Sequence, residues 1–175
     1  MIVAPRLETE RLVLRAHRIE DFERLAELYE QPRSKFIGGP LPRAQVWTNF
    51  AADIGHWVLL GFGVWAVELR ESGTYVGQVG LTHPDNYPEG ELGWLLWEEF
   101  EGKGYAFEAA MRAREFAFST LDWKALVSYI DPDNLKSIRL AERMGAALDR
   151  KAKTPNNDPT LVYRHPFKNI TDPVT

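Results

Sequence analysis

Between Gly90 and Phe118 the sequence GELGWLLWEEFEGKGYAFEAAMRAREFAF changes its period part-way along. Leu92 to Trp97 is a short apolar run with strand character, and an acidic turn carries it to Gly102-Lys103-Gly104. Beyond the glycines, Ala106, Ala109, Ala110, Ala113, Phe116 and Ala117 recur at helical spacing. The stretch predicts a strand, a glycine turn and a helix. Two glycines at such a junction leave no Cβ over the turn, and the first N–H groups of a helix have no internal partners. They point outward with the positive end of the helix dipole behind them, which makes the junction a cradle for an anion, most often phosphate.

Several phosphate sites use such a junction. A nucleoside-triphosphate loop needs Ser or Thr after Gly-Lys, whereas Lys103 is followed by Gly104. A dinucleotide fingerprint needs a third small residue where helix meets strand, and Phe107 stands there. A lone Gly-x-Gly before a helix is also ordinary turn chemistry, so the context has to decide.

The 175-residue chain suits one domain with a sizeable core. Having no Cys, it is denied disulfides, thiolate metal sites and a cysteine nucleophile. His17, His56, His83 and His165 stand in no metal-ligand spacing, so no metal is expected. The net charge of −4 is spread over segments of mixed sign, without the basic stripe that nucleic acid requires. The opening Met-Ile-Val-Ala-Pro-Arg has no basic segment ahead of an apolar core, and no run reaches membrane-span length. The expectation is a soluble cytoplasmic protein, monomer or homodimer, with neither nucleic acid nor membrane as partner.

Along the chain, Thr9 to Ala16 alternates as a half-buried strand. Ile19 to Tyr29 is a helix with acidic residues in its first turn, stopping near Glu30 before Pro32. Ser34 to Arg43 reads as a loop, and Val46, Trp47, Phe50, Ile54 and Trp57 mark a second amphipathic helix whose aromatic stripe is most simply core. Gly63 to Leu69 and Tyr75 to Leu81 form a hairpin, and the loop Thr82 to Gly90 leads into the central strand. After the cradle helix, Ala125 to Ile130 is a strand that a helical crossover makes parallel to a neighbour. A helix from Ser137 to Met144 follows, then short strands at Ala146 to Arg150 and Thr160 to Arg164. The fold class is therefore α/β, a mixed and mostly antiparallel sheet flanked by helices, with one domain over residues 7–165 and a loose tail over 166–175.

Glu101-Gly102-Lys103-Gly104-Tyr105-Ala106 resembles the pattern Gln/Arg-x-x-Gly-x-Gly/Ala of the GNAT acyltransferase superfamily at every place but its first. The longer Gly-Lys-Gly-Tyr-Ala-x-Glu-Ala, completed by Glu108 and Ala109, is similar to the RimJ/RimL branch. So are Leu7 to Arg15, the strand phrase Gly77-x-Val79-Gly80-Leu81, and Asn134-x-x-Ser137-x-x-Leu140-x-x-x-Met144-Gly145, in consistent order.

The resemblance implies an N-acetyltransferase that takes acetyl-CoA as co-substrate and a primary amine, a protein N-terminus or a small molecule, as acceptor. It implies parallel strands that splay beside the cradle. Glu101 to Ala106 would receive the pyrophosphate, and the backbone of Leu95, Leu96 and Trp97 would bond the pantetheine arm as an added strand does. Asn134 would touch the cofactor, although a helix cap explains it equally well. Ser137 would lie near the sulfur and protonate the leaving thiolate, with Tyr129 as the alternative.

Glu91 opens the central strand and is the candidate base, with Glu89, His83, Asp85 or a water relay behind it, and an exposed strand-end glutamate is the plainer reading. The acidic residues there would suit a cationic acceptor, and Trp47, Trp57, Trp65 and Tyr87 are candidate pocket walls. Glu101 puts a carboxylate close to the expected pyrophosphate, with Lys103 as the charge to offset it. A rival reading keeps the fold as an acyl-CoA-binding module without turnover.

Overall fold

A computed structural model describes residues 4–167. The N-terminal alternation becomes β1 (Leu7–Glu8) and β2 (Leu12–Arg15), followed by α1 (Asp21–Tyr29) and α2 (Arg43–Leu60). Between these helices, Pro32–Ile37 winds into a 3₁₀ helix where the sequence predicts a loop, with Pro32 in its first turn. Then come β3 (Val64–Leu69), β4 (Tyr75–Thr82), β5 (Glu91–Leu96), α3 (Tyr105–Ser119), β6 (Val127–Ile130), α4 (Leu135–Arg143), β7 (Ala147–Leu148) and β8 (Leu161–Arg164). Of the predicted tail, only Pro166 and Phe167 fall among the described residues, and Phe167 packs edge-on against Phe118.

The sheet runs β1-β2-β3-β4-β5-β6-β8-β7, antiparallel throughout except between β5 and β6. Side chains alternate across it as the pleat requires. Leu92, Trp94 and Leu96 of β5 turn to the cluster that contains α3, where Ala109, Ala110, Ala113 and Ala117 let the helix approach closely. Leu95 and Trp97 turn to the opposite cluster with Phe22, Leu25 and Phe50 of α1 and α2.

Two expectations change. The aromatic stripe of α2 is only partly core: Phe50 and Trp57 are buried, but Trp47 and Ile54 are exposed. And β2 is buried on both faces rather than one, because the side predicted to meet water carries Arg15 into an ion-pair network. Arg15 donates to Asp21 through Nη1 at 2.7 Å and Nη2 at 2.9 Å, and to Glu68 through Nε at 2.5 Å.

This network ties β2 to α1 and β3. Burial opposes the charge on Asp21, but the bonds from Arg15 and from the Arg18 N–H, with His17 Nδ1 at 3.5 Å, outweigh it and hold the carboxyl well below the usual range. A folded-state pKa below the unfolded one adds stability above the ordinary carboxylate range, lost as pH falls through the folded value. Asp21→Asn strands Arg15 beside one carboxylate instead of two, so it should cost about 3 kcal/mol at pH 7 by urea unfolding. It should also flatten the acid limb of the stability curve.

Candidate active site

The cradle forms as the glycine spacing predicts. Gly102 and Gly104 sit at φ of +72° and +83°, a region that glycine adopts without strain, and Gly104 is the N-cap of α3. The first helical bond is Glu108 N to Gly104 O at 3.1 Å, and no side chain caps the helix. Among the described residues, the N–H groups of Gly102 through Phe107 have no protein acceptor. Six neighbouring donors at the positive end of a helix match a pyrophosphate in charge and in hydrogen-bond sense.

The motif's glutamate holds this turn from behind. Glu108 accepts from Thr9 Oγ1 at 2.5 Å, from Arg11 N at 2.8 Å and from Arg11 Nε at 2.7 Å, while Arg11 Nη1 donates to Lys103 O at 3.0 Å. Two of the phrases that carry the resemblance, one at the N-terminus and one at the cradle, are thus opposite halves of one contact. Glu101 is paired with Arg33 and Lys136, both at 2.6 Å, and not with Lys103, whose ammonium lies over the Phe100 ring.

β5 and β6 pair at Glu91 and Val127 alone and then part, as the resemblance implies. Ser128 Oγ takes the next ladder position by donating to Leu92 O at 2.6 Å, and its oxygen also meets His165 Nε2 at 3.0 Å. Trp97 N donates to Val76 O, so strand alternation turns the backbone groups of Leu95 towards β4 and those of Leu92, Trp94 and Leu96 into the gap. The Leu96 carbonyl meets Arg33 Nη2 there at 3.4 Å. Of the three predicted arm-binding residues, Leu96 presents its backbone to the gap, while Leu95 and Trp97 present theirs to β4. Trp94, absent from that prediction, presents its own to the gap.

A cleft of about 800 Å³ opens from the gap and is lined by Glu91, Tyr129, Asn134 and Ser137 together with α2 and the loops around Tyr87 and Pro155. Asn134 caps α4, its Oδ1 accepting from Ser137 N at 3.2 Å, and Ser137 Oγ accepts from Trp94 Nε1 at 3.2 Å. The Tyr129 hydroxyl accepts from Glu89 N at 3.2 Å and its ring meets Tyr87 at 5.3 Å. Tyr87 lines the cleft, whereas Trp57 and Trp65 are core and Trp47 lies on the outer surface against Phe22.

The candidate bases separate by environment. Glu89 is held by Arg164 at 2.7 and 2.9 Å, which lowers its pKa, and Asp85 is exposed outside the cleft. Burial pushes Glu91 up to about 7, against the opposing pull of the Thr82 hydroxyl at 3.2 Å and the Tyr129 N–H. Facing it is Asp53 of α2, which burial and then the charge of Glu91 raise to about 7 as well. Asp53 is not among the residues that the sequence motifs single out. Asn49, Asp53 and His56 recur at helical spacing on α2, and that polar stripe beside Phe50 and Trp57 is the signal that marks it.

A model of the acetyltransferase (GNAT) domain matches residues 11–147. The chain belongs to the GNAT acetyltransferase family. An acetyltransferase of Agrobacterium tumefaciens, known from its crystal structure, is 43% identical with a TM-score of 0.89, over 93% of this chain and 95% of that one. The Bacillus subtilis protein YkkB is 31% identical over 62% of this chain and 65% of its own length, so the match spans under two thirds of that relative. A spermidine N-acetyltransferase of Vibrio cholerae, solved with CoA and spermine, shares the GNAT fold at a TM-score of 0.69 and 19% identity, over 89% of this chain and 94% of that one. Among the described residues, no helix is long and apolar enough to cross a membrane.

Raised carboxylate pKa values mean that the folded GNAT domain binds protons which the unfolded chain releases, so stability falls as pH rises from the ordinary carboxylate range through about 7. Glu91→Gln removes the share of that loss that belongs to Glu91 and leaves that of Asp53. Its Tm should exceed the parent's by roughly 4 °C at pH 8 and coincide with it near pH 5, as calorimetry can read directly.

Proposed function

We propose that the protein is a RimJ/RimL-like N-acetyltransferase that moves an acetyl group from acetyl-CoA to a primary amine by direct attack. The observation that carries this reading is the continuity of one gap: six unpartnered N–H groups at the cradle end, a raised-pKa carboxylate at the other, and strand backbone free between them. Gly102 through Phe107 bind the pyrophosphate, and the free backbone of Trp94 and Leu96 takes up the arm. A gap-facing N–H of β5 polarises the thioester carbonyl.

Glu91 accepts a proton from the acceptor's ammonium, directly or through one water, leaving a neutral nitrogen. That nitrogen attacks the thioester carbon, the C–N bond forms and the C–S bond breaks. The acylated nitrogen sheds its second proton to the Ser137 hydroxyl or to water as that same group protonates the thiolate, so neither an alkoxide nor a charged amide is left. Ser137 is the better placed of the two candidate acids, because the Tyr129 hydroxyl stands at the Glu89 N–H on the acceptor side of Glu91. Asn134 acts through Ser137, as the cap that fixes the start of α4.

A module that binds acyl-CoA without turnover would not need an acceptor cleft with a carboxylate held near neutrality, so the geometry favours the enzyme.

Two measurements test the reading. Gly104→Val forces a branched side chain into left-handed backbone against Arg11, 3.3 Å from the ideal Cβ, and should abolish acetyl-CoA binding in calorimetry. Glu91→Gln should keep that binding while lowering kcat by roughly 100-fold on an accepted amine. The parent's kcat/KM should climb through pH 7 as Glu91 ionises, and the variant should lack that limb. Unchanged turnover in Glu91→Gln would remove Glu91 from the mechanism.

A further inference from the structure

The residues lining the acceptor cleft include four carboxylates, those of Asp53, Glu91, Asp131 and Asp158, and neither Lys nor Arg. Elsewhere the molecule pairs its half-buried carboxylates: Glu89 with Arg164, Glu101 with Arg33 and Lys136, and Glu108 with Arg11. Asp53 differs. It is half-buried in the cleft wall, and among the described residues it has neither an ion pair nor a hydrogen bond. A carboxylate in such a position ordinarily has a partner, because desolvating an uncompensated charge is costly.

Two neighbouring side chains lack a donor in the same way. His56 turns Nδ1 to the Ala52 carbonyl at 2.9 Å, so in the neutral ring the hydrogen is on Nδ1 and Nε2 is an acceptor. That Nε2 is buried without a partner, as is Oε1 of Gln78, and both residues line the cleft. Neither His56 nor Gln78 donates to Asp53, so the carboxylate is uncompensated from the protein side. Tyr29, Phe36 and Tyr87 line the same cleft, and aromatic rings attract cations.

Position separates the two facing carboxylates. Glu91 opens β5 at the one point where it pairs with β6, beside the gap, so it is the carboxylate next to the reacting nitrogen. Asp53 comes from α2 on the other wall, away from the β5 and β6 pairing. An acceptor with a single amine would engage Glu91 and leave Asp53 without a counter-charge.

We propose that the acceptor carries a second, non-reacting cationic nitrogen, and that Asp53 is the residue that binds it. The acceptor class is a diamine or a peptide amine with an adjacent basic side chain, held at both nitrogens between α2 and β5. This rests on the acetyltransferase reading, yet its binding part can be measured without turnover. The raised pKa of Asp53 agrees with the geometry, since burial and the charge of Glu91 favour a proton where a bound cation would favour the charge.

The test measures binding and transfer separately, on the CoA-loaded protein, with 1,4-diaminobutane, 1-aminobutane, 4-aminobutanoate and a short peptide with Lys at its second position. By calorimetry the diamine or the peptide should bind at least roughly 30-fold more tightly than 1-aminobutane, with 4-aminobutanoate weakest, and the better of the two names the source of the second cation. Asp53→Asn should remove most of that advantage and leave 1-aminobutane within about 3-fold of the parent, while Asp53→Glu should restore part of it. In turnover the loss should appear in KM rather than in kcat.

Equal affinity for the diamine, the peptide and the monoamine would overturn the proposal. So would an Asp53→Asn variant that folds, by its melting curve, and keeps the preference for a second cation. Asp53-dependent dication binding with no acetyl transfer to any of the four amines would support the cation site and refute the transferase reading, so the two fail separately.

Discussion

One pairing governs the architecture. β5 and β6 are parallel because α3 carries the chain across the sheet between them, and they meet only at Glu91 and Val127 before diverging. What fixes the point of divergence is buried and polar: Ser128 puts its hydroxyl on Leu92 O, where a strand partner would otherwise be, and His165 backs it from the residue after β8. Burial, with Arg114 nearby, drives His165 down to about 4, so the ring remains neutral against that hydroxyl over the physiological range. Everything proposed for the site uses the divergence: the free backbone of β5, the exposed start of α3 and the carboxylate at the point of separation.

The fold was legible because its local signals agree with one another. The period change around Gly102 and Gly104, the hairpin between Leu69 and Tyr75, and the cap at Asn134 each have a local cause, and each element appears within a few residues of its predicted span. What escaped was non-local. Arg15 reads as a solvent-facing strand residue until Asp21 and Glu68 are brought against it, and the partner of Glu101 is distant in sequence rather than the adjacent Lys103. The loop around Phe36 held no periodic signal, so its 3₁₀ winding and the placing of Arg33 beside Leu96 could not be read.

The site was legible to the same degree and for the same reason. The cradle is a contiguous motif and could be located outright, and Glu91, Tyr129 and Ser137 line one cleft although three separate elements supply them. The missed residue, Asp53, lies on a helix whose apolar face suggested nothing but packing. The role proposed for it depends on facing Glu91 across a space that exists only once α2 has docked on the sheet. Backbone direction escaped too: strand alternation gives Trp94 and Leu96 one orientation and Leu95 the other, and the register that decides between them is set by β4.

The contact between Glu108 and the Thr9 to Arg11 segment joins residues 97 positions apart at the Arg11 N–H. Closing a loop of that length is an entropic loss that no contact inside the cradle repays, so the turn cannot be held in shape by its own short sequence. The start of α3 therefore depends for its shape on the N-terminal strand, and the anion site keeps its form only while that strand stays in place. Native-state hydrogen exchange would report this as a shared opening free energy for the amides of Leu12 and Glu108, two positions that no local measure of stability would group together.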